Sequence, residues 1–279
     1  MDVKKFDTKP VALVIKKIIK ENEDTNTYVF DYTLGAKPGQ FVMLWIPGAG
    51  EKPISVAYDN GKEFWLTVCR VGQTTAELFK LKEGDKVGVR GPFGTFYKFK
   101  PGEHLTLIAG GYGVAPMYFV AHEAGKLGCK IDFLLGARTK SLLLYTQKIL
   151  GLGNVNLKIS TNDGSAGIRG FVTELLRTIL LQDSGNKVDR VFSCGPEVMM
   201  KAVGELIEDE NSGAEYFLSL EKYMKCGFGV CGQCAVDDSG ECVCTKGPVV
   251  SWSYAKKLKE FGKYHRDAQG KKYFFNLIK

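Results

Sequence analysis

Cys226, Cys231 and Cys234 stand in a C-x4-C-x2-C spacing, and Cys242 and Cys244 follow shortly after. Three thiolates so spaced, completed by a later fourth, match the ligand pattern of a [2Fe–2S] cluster, which carries one electron at a time. The stretch reads Lys225-Cys226-Gly227-Phe228-Gly229-Val230-Cys231-Gly232-Gln233-Cys234. Its glycines let the backbone fold tightly, so that amides can point at cluster sulfides. Either Cys242 or Cys244 supplies the fourth ligand. A four-thiolate zinc knuckle competes, with Cys231-x2-Cys234 and Cys242-x-Cys244 as half-sites of one tetrahedral ion. Disulfides fit less well: no secretory signal is evident, a cytoplasmic location is expected, and clustered cysteines there more often bind metal or do redox chemistry. Of the other three, Cys69 and Cys129 read as core residues.

Two further places suit a nucleotide. Leu107-Ile108-Ala109-Gly110-Gly111-Tyr112-Gly113-Val114-Ala115-Pro116 closes an apolar run and opens a helix, where a parallel sheet binds nucleotides at its carboxyl edge. It lacks the G-x-G-x-x-G fingerprint, and a glycine-rich turn alone is weak evidence. Ser193-Cys194-Gly195-Pro196-Glu197 has the same character at a second helix entrance, and two such edges facing one crevice strengthen each other. Cys194 there is either a small buried hydrophobe or a contact for a nicotinamide ring. At a third strand end, Asp163-Gly164-Ser165 offers polar groups to a ribose or phosphate, although turn formation explains most of them.

Nearer the start, Glu51-Lys52-Pro53-Ile54-Ser55 places a cation, a rigid proline and a hydroxyl at a strand start, which suits a flavin. Val68-Cys69-Arg70-Val71-Gly72-Gln73-Thr74-Thr75 then runs into a short helix whose exposed amides form an anion site for a pyrophosphate. His104, His122 and His265 are scattered and suggest surface or core roles.

These residues need elements to position them. The chain has 279 residues, about two domains at roughly 150 residues each. It is 44% hydrophobic and 25% charged, with 38 basic and 31 acidic residues giving a net charge of +7. That excess suits solubility or an acidic partner without demanding nucleic acid. No apolar run approaches the ~20 residues of a membrane span. Short β-type runs at 11–19, 27–31, 41–45, 54–58, 64–71 and 86–89, separated by Pro-Gly, Asn-Gly and Gly-Asp turns, predict an antiparallel barrel with one short helix at 75–81. From 104 onward strands at 105–109, 131–135, 155–160, 188–193 and 216–220 alternate with helices at 117–127, 142–150, 171–181 and 198–207, which predicts a parallel sheet. The fold class is therefore α+β multidomain, with units at 1–101 (barrel, with the flavin-suited residues), 102–220 (α/β, with the dinucleotide-suited turns), 221–250 (cluster module) and 251–279, a tail of lysines and aromatics. The tail is read as docking onto a partner or onto the chain itself rather than onto single-stranded nucleic acid.

In this order Lys52-Pro53-Ile54-Ser55, Gly72-x-x-Thr75, Gly91-Pro92-Phe93-Gly94, Gly110-Gly111-x-Gly113-x-Ala115-Pro116, Asp163-Gly164-Ser165, Cys194-Gly195-Pro196 and the cysteine cluster resemble the ferredoxin–NADP reductase superfamily. Within it, the resemblance is to the electron-transfer subunits of dihydroorotate dehydrogenase, over roughly residues 10–250. It implies FAD, NAD(H) and a [2Fe–2S] cluster as cofactors, and an FMN-containing dihydroorotate dehydrogenase catalytic subunit as partner in a heterotetramer of pyrimidine biosynthesis. It places Lys52, Pro53, Ile54, Ser55, Val68, Cys69, Arg70, Thr74 and Thr75 on FAD-contacting positions. It selects Cys244 as fourth ligand, because in that family the ligand precedes two residues and Gly-Pro. Subunits of sulfide dehydrogenases and transhydrogenases look similar but often carry an acidic first ligand where Cys226 stands. A hydrogenase or ferredoxin partner is an alternative, as is a non-catalytic redox sensor. Two features depart from the family: lysine at 52 where arginine is common, a point charge without the bidentate fork, and the long basic end.

Overall fold

The computed structural model describes residues 9–181, 187–237 and 239–275. Residues 1–8 of the first expected unit and 276–279 of the tail, Lys279 among them, lie outside it. The first half is a curled antiparallel sheet of β1 (Val11–Val14), β2 (Lys17–Lys20), β3 (Thr25–Asp31), β4 (Phe41–Ile46), β5 (Gly50–Asp59), β6 (Glu63–Cys69) and β7 (Lys86–Phe93), with α1 (Gln73–Leu78) between the last two. The strand order is β1-β7-β4-β5-β6-β3-β2. The run expected as one strand at 11–19 is two. Ile15 donates its N–H to Asp85 (2.9 Å) and Lys16 to Val29 (2.9 Å), so the chain changes partners at a sheet corner, from β7 to β3.

The second half alternates as expected: β8 (His104–Gly110), α2 (Val114–Lys126), β9 (Lys130–Ala137), α3 (Thr146–Leu150), β10 (Val155–Thr161), β11 (Ile168–Arg169), α4 (Val172–Leu180), β12 (Arg190–Cys194), α5 (Glu197–Asp209) and β13 (Glu215–Ser219). The helix expected at 142–150 shrinks to α3, because Tyr145 takes a left-handed φ of 62° that no α-helix continues through. The remainder holds α6 (Val243–Lys246), β14 (Val249–Ser251), α7 (Trp252–Ala255), β15 (Tyr264–Arg266) and β16 (Lys272–Phe274).

The second sheet runs β11-β10-β9-β8-β12-β13-β14, parallel except for β14, which adds antiparallel to β13. Its chain path leaves β8 toward β9 on one side and resumes at β12 on the other. That reversal is the switch point where open α/β sheets bind ligands beyond the carboxyl ends of the strands. The segment after 250 packs inward: Trp252, Ala255, Phe261 and Tyr264 are buried. Among the described residues no helix is long and apolar enough to cross a membrane.

Candidate functional site: a nucleotide crevice and a cysteine loop joined by the barrel

The cysteine loop folds so that its own amides face its sulfurs. Gly229 donates its N–H to Cys244 Sγ (3.1 Å), Cys231 to Cys226 Sγ (3.5 Å) and Cys244 to Cys234 Sγ (3.4 Å). Gly229 makes this possible with φ of 86°, and a Cβ there would lie 2.9 Å from the Thr245 methyl. Burial alone raises the Cys226 thiol, but amides of Cys231, Phe228 and Val230 outweigh it and bring it to about 6. Burial, with Cys234 beside it, pushes Cys244 upward, and burial with the same neighbour raises Cys242. The thiols thus associate as Cys226 with Cys231 and Cys234 with Cys244, and Cys242 also borders Cys234. Among the described residues no three His, Cys, Asp or Glu side chains are drawn together closely enough to form a closed metal site. Two thiol pairs under inward-turned amides fit a cluster with two irons, each taking two cysteines and sharing sulfides.

The glycine-rich turn after β8 and the start of α5 meet backbone to backbone. A Cβ on Gly113 would lie 2.3 Å from the Cys194 carbonyl oxygen, and one on Gly195 would lie 2.9 Å from the Gly110 nitrogen. Gly110 is closed in by Pro196 and Met199, whereas a Cβ on Gly111 would meet nothing within 4 Å. Close backbone contact on one side and open space on the other make a cradle for a dinucleotide. Pro116 sits buried in the first turn of α2, where its missing N–H costs nothing. Burial raises the Cys194 thiol to about 12, with the Glu221 charge adding to it. Such a thiol stays protonated and packs rather than attacks. Tyr112 donates to Glu221 (3.2 Å) across the crevice mouth.

The barrel closes the crevice. Alternation along β6 sends Phe64, Leu66 and Val68 into the barrel core and turns Trp65, Thr67 and Cys69 toward the nucleotide sheet. Thr67 there bonds Tyr145 (2.7 Å), and burial, with Glu221, Cys194 and Cys69 nearby, pushes the Tyr112 hydroxyl upward. Cys69 is therefore a crevice residue rather than a core one, while Cys129 is buried as expected. Lys52, Pro53, Ile54 and Ser55 lie half-buried on β5, and the Lys52 ammonium stands 4.5 Å over the Tyr223 ring. Thr75 spends its hydroxyl on Gly72 at the start of α1 (3.0 Å), and Thr74 gives its own to the Ala49 carbonyl (3.0 Å). Arg70 pairs on the surface with Asp24 (2.7 Å). His104 lies at the other end of β8, bonded to Asp132 (2.7 Å).

Sequence reasoning missed Arg90. Its guanidinium grips Glu51 with two bonds (2.7 and 2.5 Å) and donates to the carbonyls of Cys226 (3.0 Å) and Lys225 (3.2 Å). Barrel strands β5 and β7 are thereby fastened to the first cysteine. Only the run Lys86–Val89 carried β character, so nothing local marked the arginine that follows it.

Sequence profiles of known families cover most of the chain. The oxidoreductase FAD-binding domain matches residues 12–97, the oxidoreductase NAD-binding domain residues 107–205, and the iron-sulfur cluster binding domain of dihydroorotate dehydrogenase B residues 221–254. With the crevice and cysteine loop, they define a flavin- and NAD-linked iron–sulfur oxidoreductase. The chain is 45% identical, over 96% of its own length and 99% of the relative's, to the probable dihydroorotate dehydrogenase B (NAD(+)) electron transfer subunit of Methanocaldococcus jannaschii, and 39% identical to its counterpart in Methanothermobacter thermautotrophicus, over 94% and 97%. It belongs to the family of dihydroorotate dehydrogenase B electron-transfer subunits. Among solved structures, that of an NADH-dependent reduced ferredoxin-NADP oxidoreductase superposes with a TM-score of 0.77 at 31% identity, covering 88% of this chain and 92% of the other. The cytochrome b5 reductase domain of Ulva prolifera nitrate reductase shares the fold at a TM-score of 0.61 and 20% identity, covering 73% and 93%.

Proposed function

We propose that this chain carries electrons between NAD(H) and an FMN-containing subunit that oxidises dihydroorotate in the cytoplasm, for pyrimidine synthesis. The observation that carries the reading is Arg90, which seats the cysteine loop on the same barrel whose β6 faces the nucleotide crevice. When bound, FAD supplies exchange of a hydride with the nicotinamide and of single electrons with a [2Fe–2S] centre.

The chain's own residues bind, orient and exclude water. Gly110, Gly111, Gly113 and Pro116 with Cys194, Gly195 and Pro196 admit the dinucleotide, and the protonated Cys194 presents an apolar surface to its ring. Lys52, Pro53, Ile54 and Ser55 with the β6 end, Val68, Cys69 and Arg70, and the α1 start, Gly72, Thr74 and Thr75, hold the flavin. Because the Thr74 and Thr75 hydroxyls serve the protein, that start contributes chiefly backbone amides. Cys226, Cys231, Cys234 and Cys244 hold the cluster. The working units are 1–101, 102–220 and 221–250, with 251–279 packed onto them, and the assembly is a heterotetramer.

Co-expression with an FMN-containing candidate partner tests this. The copurified complex reduces NAD+ with dihydroorotate, and neither subunit does so alone. A chain that forms no such complex, or a complex inert toward dihydroorotate, contradicts it. The likeness to the ferredoxin-NADP oxidoreductase supports a second reading with ferredoxin as the electron partner, and NAD+ reduction by chemically reduced ferredoxin in the isolated chain would favour it.

A further inference from the structure

The outer half of the cysteine loop has little apolar packing to hold it. Val230 is 76% exposed and Cys231 is exposed. A cavity of about 340 Å³ between Tyr223, Cys231, Gln233, Arg266 and Gly270 separates the loop from the β15–β16 hairpin. Polar tethers cross that gap. Asp237, just beyond Cys234, takes Arg266 on both carboxylate oxygens (3.3 and 3.0 Å) and the Tyr264 hydroxyl, and donates its own N–H to Glu260 (3.1 Å). Gln233 donates to the Ala268 carbonyl (3.3 Å). Glu260 is buried and also pairs with Lys222 (2.7 Å), on the other flank of the loop. Arg266 in turn braces the hairpin turn through the Gly270 carbonyl (2.8 Å). One carboxylate thus joins the turn that follows Cys234 to the β15–β16 hairpin.

We propose that Asp237, clamped by Arg266 and Tyr264, is a positioning residue that fixes the Cys231–Cys234 side of the loop and so determines how firmly the cluster is held. This rests on the reading of the four cysteines as cluster ligands. The clamp touches no sulfur. It acts through the backbone, as groups behind a metal's ligands generally do, and their loss typically weakens metal affinity by roughly 10- to 100-fold. The C-terminal segment is then a brace for the cluster, and its hairpin contributes through Arg266 rather than through its lysines.

The test uses the full chain with FAD and cluster, as the wild type, Asp237→Asn, Arg266→Met and the double variant. Iron release to a ferrous chelator, the EPR spectrum after chemical reduction and the FAD content are measured. Each single variant is expected to release iron about tenfold faster with an altered EPR line shape and unchanged FAD. The double variant should be no worse than either single, because both remove one contact. Should Asp237→Asn also shed FAD, the charge-conserving Arg266→Lys decides, with a smaller acceleration expected. Wild-type release and an unchanged spectrum in the variants overturn the proposal. A wild type that takes up no iron overturns instead the cluster reading beneath it.

Discussion

Two buried ionisable side chains illustrate how single residues shape the stability of this molecule. Arg90 is 9% exposed and satisfies Glu51 and two loop carbonyls at once. Replacing it with Met leaves a half-buried carboxylate and two acceptors unpaired, at a cost of about 2–3 kcal/mol. Urea denaturation should show the loss, and an unchanged midpoint would mean that the guanidinium is mere surface. Glu197 begins α5, where burial lifts its carboxyl from 4.5 to about 7, although the Gly262 amide and Lys222 pull the other way. The folded chain therefore keeps a proton that the unfolded chain gives up between those values. The stability this confers is complete below pH 4.5 and lost as pH rises through about 7. Glu197→Gln stays neutral and still accepts the Gly262 N–H. Relative to the wild type it should gain about 2 kcal/mol between pH 5 and pH 8, and parallel stability curves would contradict that. Neither role was legible in the sequence: Arg90 and Cys226 lie far apart in the chain, and Glu197 reads as an ordinary first-turn acid.

At the scale of elements, the crevice depends on β8 and β12 ending side by side, with Gly113 pressed against the Cys194 backbone. Gly113→Ala would drive a methyl group into the Cys194 carbonyl, 2.3 Å away, and push the turn from its neighbour. NADH oxidation with an artificial acceptor should then fall at least about tenfold in kcat/KM, while the cluster's EPR signal stays as in the wild type. Equal activity would show that the turn does not touch the nucleotide. The alternation of strands and helices after residue 104 was readable from hydrophobic periodicity, because each element buries one face locally. What periodicity does not report is where a run changes partners. The apolar stretch at 11–19 looks continuous, yet Ile15 bonds to Asp85 and Lys16 to Val29. The helix expected from 142 onward begins late because Tyr145 turns left-handed and sends its hydroxyl to Thr67.

Across the whole molecule, the nucleotide sheet and the cysteine loop are each fastened to the barrel. Lys148 pairs with Glu21 (2.7 Å) beside the Tyr145–Thr67 bond, which locks the nucleotide sheet to the barrel. Thr95 donates its hydroxyl to the Val249 carbonyl (2.7 Å) and ties the barrel's end to β14. The lysine- and aromatic-rich end, which composition alone left as a docking tail, buries Trp252 so closely that a Cβ on Gly204 would lie 2.4 Å from its ring. Its aromatics could be counted in the sequence, but their partners on α5 and β13 could not. The cysteine spacing and the glycine turns were legible because their chemistry is local; their convergence on one barrel is a property of the fold. Anaerobic titration of the isolated chain with NADH, followed by visible absorbance and low-temperature EPR, tests that convergence most directly. Loss of flavin absorbance together with the EPR signal of a singly reduced [2Fe–2S] cluster is the predicted result. Flavin bleaching with no cluster signal, in a protein shown to contain iron, would contradict it.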